Sequence, residues 1–568
     1  MKYNKTIIVL ALLLTFINAN AQLSTNEEPV SFTRENELPA NFRSMVPIVT
    51  MPQLDMEKIA KEDEEDEEYD IPPRFGYSHF VDYDLNNSGR WFDLPNGDRL
   101  WQLEVVCPDA LSVNFCYDKF WLPDGGKFFV YSKDRKKTLG AFTSGNNKGD
   151  RVKIRGFATE LVFGDDVVLE YYQPKEVTCD AVISIEYVVH GYRYVKTDES
   201  GYGASDTCMV NVNCEEGLNW QNEKKAVARV LLKDGFFSGS LIATTNLEGE
   251  PYFLTANHCT KHKGKDAVND PILDYAVFYW NYETLGCINP SIEPNNYLTT
   301  HGATIVANPY KMLEEKSDFS LLRLSEDPKN LTNYRPYYLG WDKSGLSGNP
   351  GVCIHHPKGD VKKISTILSS PTPSTYDIYF SNPSYWKVFF SHGVVNHMSS
   401  GSALLNAAHR VIGQLRWGNT EGCNYNGYAL YGRFDVSWTG NNIHTDSIHR
   451  RLDCWLDSLS TGAQSIEGLQ IVRSASTIST NQQLYSNIRI TSTGQLSVQS
   501  DVELMGNSRL IVENGGKLIV NAGMLSNVDL DIKPGAIIQI INGGIIDTRN
   551  GFEAPIGATV EIIDGQIQ

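Results

Sequence analysis

The chain has 568 residues, and its 50 Lys plus Arg against 68 Asp plus Glu give a formal net charge of −18. Such a balance argues against a general nucleic-acid binder or a coat for anionic membranes, because both rely on neutralising negative charge. With 41% hydrophobic and 11% aromatic residues the chain can build packed cores, and its length suits several domains of roughly 100–200 residues each.

Lys2 and Lys5 precede the apolar run 7–16, and Ala19-Asn20-Ala21 supplies a small-residue cleavage site. Residues 1–21 therefore read as an export signal. The apolar run is shorter than the roughly 18 residues a membrane span needs, so the expected product is secreted, with no membrane insertion. Ten cysteines suit an oxidising destination, and no Cys-x-x-Cys pair suggests a zinc ribbon. Residues 22–76 read as an acidic linker, since the run Glu62–Glu68 repels itself and cannot bury a core. Residues 77–202 are expected to form an antiparallel β-domain. Their β-rich runs Trp101–Val106 and Lys127–Tyr131 lie near turn signals at Asn96-Gly97-Asp98 and Pro123-Asp124-Gly125-Gly126. Asp82–Asn87 looks like a calcium loop but lacks the glycine and terminal glutamate at the required spacing, and reads as a plain turn. The small, polar stretch Thr197–Thr207 is an expected processing site.

Residues 203–468 carry seven of the ten cysteines and many strand-like runs, with one helix expected over Ser447–Leu459. That profile predicts an all-β barrel or sandwich. In residues 469–568, Gly494, Gly516, Gly535 and Gly557 precede short alternating runs at spacings of 22, 19 and 22 residues. A period near twenty predicts stacked β-solenoid coils, with a small sandwich as the plainer reading. The expected fold class is all-β.

Three segments of the central region suggest chemistry together. Thr255-Ala256-Asn257-His258-Cys259 follows a strand, Ser317-Asp318-Phe319 opens one, and Ser399-Ser400-Gly401-Ser402 sits on a small-residue turn. The order His258, Asp318, Ser400 is that of a chymotrypsin-type triad. A serine hydroxyl needs an imidazole to take its proton, and a buried carboxylate fixes the imidazole tautomer. A small-residue turn lets two backbone N–H groups face a developing oxyanion. Each segment alone is more often structural; the ordered set is specific.

The stretch from Cys208 to Gly468 resembles the bacterial lysyl endopeptidases of the trypsin superfamily. The resemblance runs through Cys208–Cys214, Gly239-Ser240-Leu241, Phe253–Cys259, Tyr279–Tyr282, Ser317–Leu324, Ile354–Pro357, Gly393–Ala403, Arg410–Leu415, Tyr431-Gly432-Arg433 and Ser460–Gln464. It implies a two-barrel protease preceded by a β-rich pro-domain that is removed on maturation. It also implies His258 as general base, Asp318 as its orienter and Ser400 as nucleophile. The oxyanion donors would be the backbone N–H groups of Met398 and Ser400, and Met398 stands where the family has glycine. Disulfides Cys208–Cys423 and Cys214–Cys287 carry over. Phe237 replaces the cysteine that would pair with Cys259.

The family's lysine-reading aspartate is replaced by Ala429, and the trypsin-type aspartate by Val394. A lysine would be desolvated there without a partner, so lysine specificity is not implied. Ser399 occupies the position where trypsin has the aspartate that receives a new N-terminus. Arg416-Trp417-Gly418 corresponds to the strand flanking bound substrate. There Trp417 is a candidate to pack on a substrate side chain, and Arg416 is read as a solvated arginine rather than a contact for an acidic one. His355 and His356 are adjacent on a strand and point to opposite faces, so no metal site is expected. The expected function is that of a secreted serine endopeptidase needing no cofactor. Its partners would be protein or peptide substrates, with the C-terminal repeats as a candidate contact for a surface or polymer. The alternative is an exported adhesion or binding protein whose protease domain is inactive.

Overall fold

The computed structural model describes residues 27–68, 73–193, 205–260, 271–289, 293–309, 317–376, 383–440 and 447–568. The expected export signal and residues 197–204 of the expected processing stretch lie outside them. Among the described residues no helix is long and apolar enough to cross a membrane.

Alternating apolar residues between 76 and 191 form two facing sheets. In one, Arg99–Val106 and Asp166–Gln173 pair antiparallel with Lys127–Ser132 beyond; in the other, Val182–Gly191 lies between Gly76–Asp84 and Ser112–Trp121. Inward residues such as Trp101, Leu103, Phe115, Tyr117, Phe128 and Leu169 build a core between them. After Asp82 the chain turns where Asp84 Oδ1 accepts the Asn87 N–H at 2.8 Å.

Among its described residues, 27–68 and 73–76, the stretch read as an acidic linker contains regular structure. Ile48–Thr50 adds a parallel strand beside Arg99–Val106, and the acidic run belongs to a helix, Met56–Glu68. Its self-repulsion is offset by cations that lie far along the chain. Arg74 reaches Glu62 and Asp63, each at 2.8 Å, while Arg193 and Tyr192 bind Asp63 Oδ2 at 3.1 and 2.8 Å.

The central region folds as two β-barrel halves. A seven-stranded sheet contains Val227–Leu232, Gly235–Leu241, Tyr252–Thr255, Ala276–Trp280 and Ser320–Leu324. An eleven-stranded sheet contains Pro350–His355, Lys363–Ile367, Ala403–Asn406, Arg410–Gly418 and Ala429–Arg433. The expected helix over Ser447–Leu459 is two short turns, Ile448–Arg450 and Asp453–Leu456. Arg451 between them is extended (φ −150°, ψ 150°) and its guanidinium pairs with Asp453, which interrupts the helical register.

The C-terminal region is a parallel β-solenoid. Five strands stack in one face, Ala475–Ile478, Gln495–Val498, Lys517–Asn521, Ile537–Ile541 and Thr559–Ile563. Leu496, Leu518, Ile538 and Val560 fall in register and stack inward. The glycine turns stack too, with the Gly515 N–H donating to the Gly535 carbonyl and Gly535 to Gly557, each at 3.0 Å. Gly468–Val472 pairs antiparallel with Tyr337–Tyr338, so the first coil is joined to the barrel region by a shared sheet.

Candidate active site

Strands Tyr252–Thr255 and Ser320–Leu324 pair antiparallel with Thr255 opposite Ser320. That register sets the chain just after Thr255 beside the chain just before Ser320, and so brings His258 to Asp318. Asp318 is fully buried. Its Oδ1 accepts the His258 backbone N–H at 3.0 Å and its Oδ2 hydrogen-bonds His258 Nδ1. Gln414 Nε2 donates to the Asp318 carbonyl at 3.2 Å.

Burial alone would raise the Asp318 carboxyl, but His258, Arg416 and the hydrogen bonds from His258 outweigh it and hold it well below the usual carboxylate range. For His258, burial opposes the charged ring, yet Cys259 and the Asp318 charge prevail and raise its pKa. The Asp318 carboxylate thus stabilises the imidazolium that would form when His258 takes a proton. His258 Nε2 has Cys259 Sγ at 3.7 Å, and Cys259, with Phe237 in place of a partner cysteine, is an unbridged buried thiol.

Ser400 lines the same cleft as His258. Its turn is buttressed by the first barrel: Ser238 N–H donates to the Ser400 carbonyl at 2.9 Å, and Ser238 Oγ to the Met398 carbonyl at 3.0 Å. Gly401, at φ 83°, packs so closely that an added Cβ would lie 2.0 Å from Thr255 Oγ1 and 2.4 Å from the Ser238 carbonyl oxygen. Gly401→Ala should therefore destabilise the domain by about 2–4 kcal/mol through overpacking and backbone strain. Thermal unfolding of the two proteins checks this; an unchanged Tm would contradict the packing. Met398 is buried at φ 68°, a left-handed conformation that suits the glycine it replaces.

Arg416 is not the solvated arginine expected from sequence. It is 6% exposed, its Nε lies 3.5 Å from Asp318 Oδ2, and its guanidinium stands 4.8 Å from the Tyr376 ring centre. Trp417 and Gly418 line the cleft, with Trp417 meeting Tyr428 edge-on at 5.7 Å. Val394 and Ala429 are fully buried in an apolar cluster with Phe390, Leu415 and Tyr431. Val395 lines the cleft beside Gly418: a Cβ on Gly418 would meet Val395 Cγ2 at 2.9 Å and Ala429 Cβ at 3.5 Å. Asp435 is bound to Arg433 by hydrogen bonds of 2.7 and 3.0 Å. Glu421 lines the cleft rim and faces His397 Nε2 at 3.1 Å. His355 lies between the Ser399 and Ser365 hydroxyls, and His356 Nδ1 meets the Asp360 carbonyl at 2.9 Å.

Sequence reasoning missed part of the cleft. A cavity of about 490 Å³ is lined on one side by His258, Asn396, His397, Ser400, Trp417 and Glu421. Its other side is the acidic helix, through Met56, Ile59, Ala60, Asp63, Glu64 and Asp66. Asn396 and His397 were within reach of sequence reasoning, a few residues before Ser400; the helix gave no sequence signal of its docking. Cys208–Cys423 and Cys214–Cys287 are disulfides, as the resemblance implied.

Residues 202–432 match the family model of the lysyl endopeptidase C-terminal domain. A lysyl endopeptidase of Pseudomonas aeruginosa is 29% identical over 302 residues, covering 50% of this chain and 60% of the relative. The chain thus spans less than two thirds of that relative's length. Among solved structures, mouse-brain neuropsin, a serine protease, is 13% identical with a TM-score of 0.27, covering 42% of this chain and 99% of its own. A Glu endopeptidase is 16% identical with a TM-score of 0.24, covering 37% and 85%. By the family match and the relative, the central region of this chain is similar to the lysyl endopeptidases.

Proposed function

We propose that this protein is a secreted serine endopeptidase that hydrolyses peptide bonds through Ser400, His258 and Asp318. The observation that carries the reading is the buried His258–Asp318 pair in one cleft with Ser400. In this scheme Ser400 Oγ attacks the scissile carbonyl and its proton passes to His258 Nε2. The N–H groups of Met398 and Ser400 hold the oxyanion, and His258 then protonates the leaving amine. Water, deprotonated by His258, hydrolyses the acyl-enzyme. The residues from 22 to about 202 act as a pro-domain, removed by a cut between Lys196 and Cys208. Ser400→Ala should abolish cleavage of casein while leaving the fold intact; unchanged cleavage would overturn the assignment. The rival reading, an adhesion protein with a dead protease domain, draws on Met398 in the oxyanion loop, and covalent labelling of the serine distinguishes the two.

The primary pocket favours uncharged side chains. Val394 and Ala429 supply no charge, and Val395 packs in the same apolar cluster. A lysine pushed in would lose its hydration without a partner, whereas burying an apolar side chain gains about 1.5–3 kcal/mol. On a peptide library, cleavage should centre on uncharged residues. Dominant cleavage after lysine would contradict this pocket.

A further inference from the structure

Ser399 cannot receive a new N-terminus as an acidic residue would, so the loop 394–399 must be fixed by other means. Asp206, two residues before Cys208, reaches it from the side. Asp206 Oδ2 accepts from Asn396 Nδ2 at 2.8 Å and from the Gly422 N–H at 2.9 Å, and Oδ1 faces Lys358 Nζ at 2.7 Å. The Lys358 backbone N–H in turn donates to the His397 carbonyl at 2.8 Å. One carboxylate therefore gathers donors from three separate segments. The disulfide Cys208–Cys423 ties Asp206's own segment to the one carrying Gly422.

The loop has internal order that lets such a hold be transmitted. The Asn396 N–H donates to Ser399 Oγ at 3.2 Å, and Ser399 Oγ lies 2.8 Å from His355 Nδ1. His355 Nε2 lies 3.0 Å from Ser365 Oγ, which donates to the Val394 carbonyl at 2.8 Å. Because the one Ser365 proton goes to Val394, Nε2 must donate to Ser365 and Nδ1 must accept from Ser399. The chain of hydrogen bonds thus runs in one direction across the loop, with Asn396 as the link between it and Asp206.

We propose that Asp206 is a positioning residue that holds the primary-pocket wall and the oxyanion-hole loop, doing the work that a new N-terminus does in chymotrypsin-type enzymes. Two consequences follow. The maturation cut must fall before Asp206, since a later cut would remove it. The loop is already fixed in the uncleaved chain, so maturation acts by clearing the cleft rather than by ordering the loop. The proposal rests on the endopeptidase reading.

The test compares the matured protein with its Asp206→Ala and Asp206→Asn variants. It uses a peptide substrate, active-site titration with a fluorophosphonate, thermal unfolding, and N-terminal sequencing of the wild type. Asp206→Ala should lower kcat per titrated site about 100-fold, the scale of a lost oxyanion donor, while Tm moves by no more than about 4 °C. Asp206→Asn, which keeps an acceptor oxygen, should fall in between, and the wild type should begin at or before Asp206. Unchanged kcat per titrated site in Asp206→Ala would overturn the proposal. So would a loss confined to the titratable fraction, or a fully active wild type that begins at Thr207 or later. A wild type inert to the fluorophosphonate would overturn the endopeptidase reading along with it, whereas a reactive wild type with an indifferent Asp206 would overturn this proposal alone.

Discussion

Replacing Asp318 with Asn should lower kcat about 10⁴-fold with little change in KM, because the amide cannot hold the His258 tautomer that accepts the Ser400 proton. The site makes this effect large. Asp318 is fully buried, takes two hydrogen bonds from His258 alone, and has Arg416 Nε at 3.5 Å. The amide would also leave the nearby Arg416 without the charge it faces. Steady-state kinetics on a peptide substrate measure the loss. A loss of less than about tenfold would mean that Asp318 does not orient the base.

In the uncleaved protein, undocking the acidic helix should raise the rate of fluorophosphonate labelling about 100-fold. Ile59, 3% exposed, is buried at the cleft wall, and Asp63 is gripped by Arg74, Arg193 and Tyr192. Losing a buried isoleucine contact removes about 2–3 kcal/mol, which converts to a factor near 100. Ile59→Asp and Arg74→Ala made together in the full-length chain should therefore open the cleft, with labelling measured before any maturation cut. Equal labelling of variant and wild type would show that the helix does not block access. Arg74 and Arg193 both precede the proposed maturation cut between Lys196 and Asp206, so that cut would sever the helix and the residues gripping it from the protease region as one piece.

The parts that sequence made legible share one property: local chemistry dictated them. His258, Asp318 and Ser400 could be singled out because one reaction would require that order and those neighbours, and the strand pairing does bring His258 to Asp318, in one cleft with Ser400. The solenoid was visible because four of the five strands on one face follow a glycine at the same place, with Gly494, Gly516, Gly535 and Gly557 each just before a stacked strand. What stayed hidden depends on partners distant in sequence. The run Glu62–Glu68 reads as self-repelling until Arg74 and Arg193 are placed beside it. Arg416 reads as a surface residue until the second barrel turns it towards Asp318. Asp206 gives no sign of its role because its three donors come from positions 358, 396 and 422. The broken helix at 447–459 fails for a local reason, since Arg451 binds Asp453 and leaves the helical conformation.

The central claim is that Ser400 is a working nucleophile, and covalent labelling of the matured protein with a fluorophosphonate tests it most directly. Peptide mapping should find one label per chain, on Ser400, with none in Ser400→Ala and strongly slowed labelling in His258→Ala. A matured wild type that takes no label, or a label that persists in Ser400→Ala, would contradict the account.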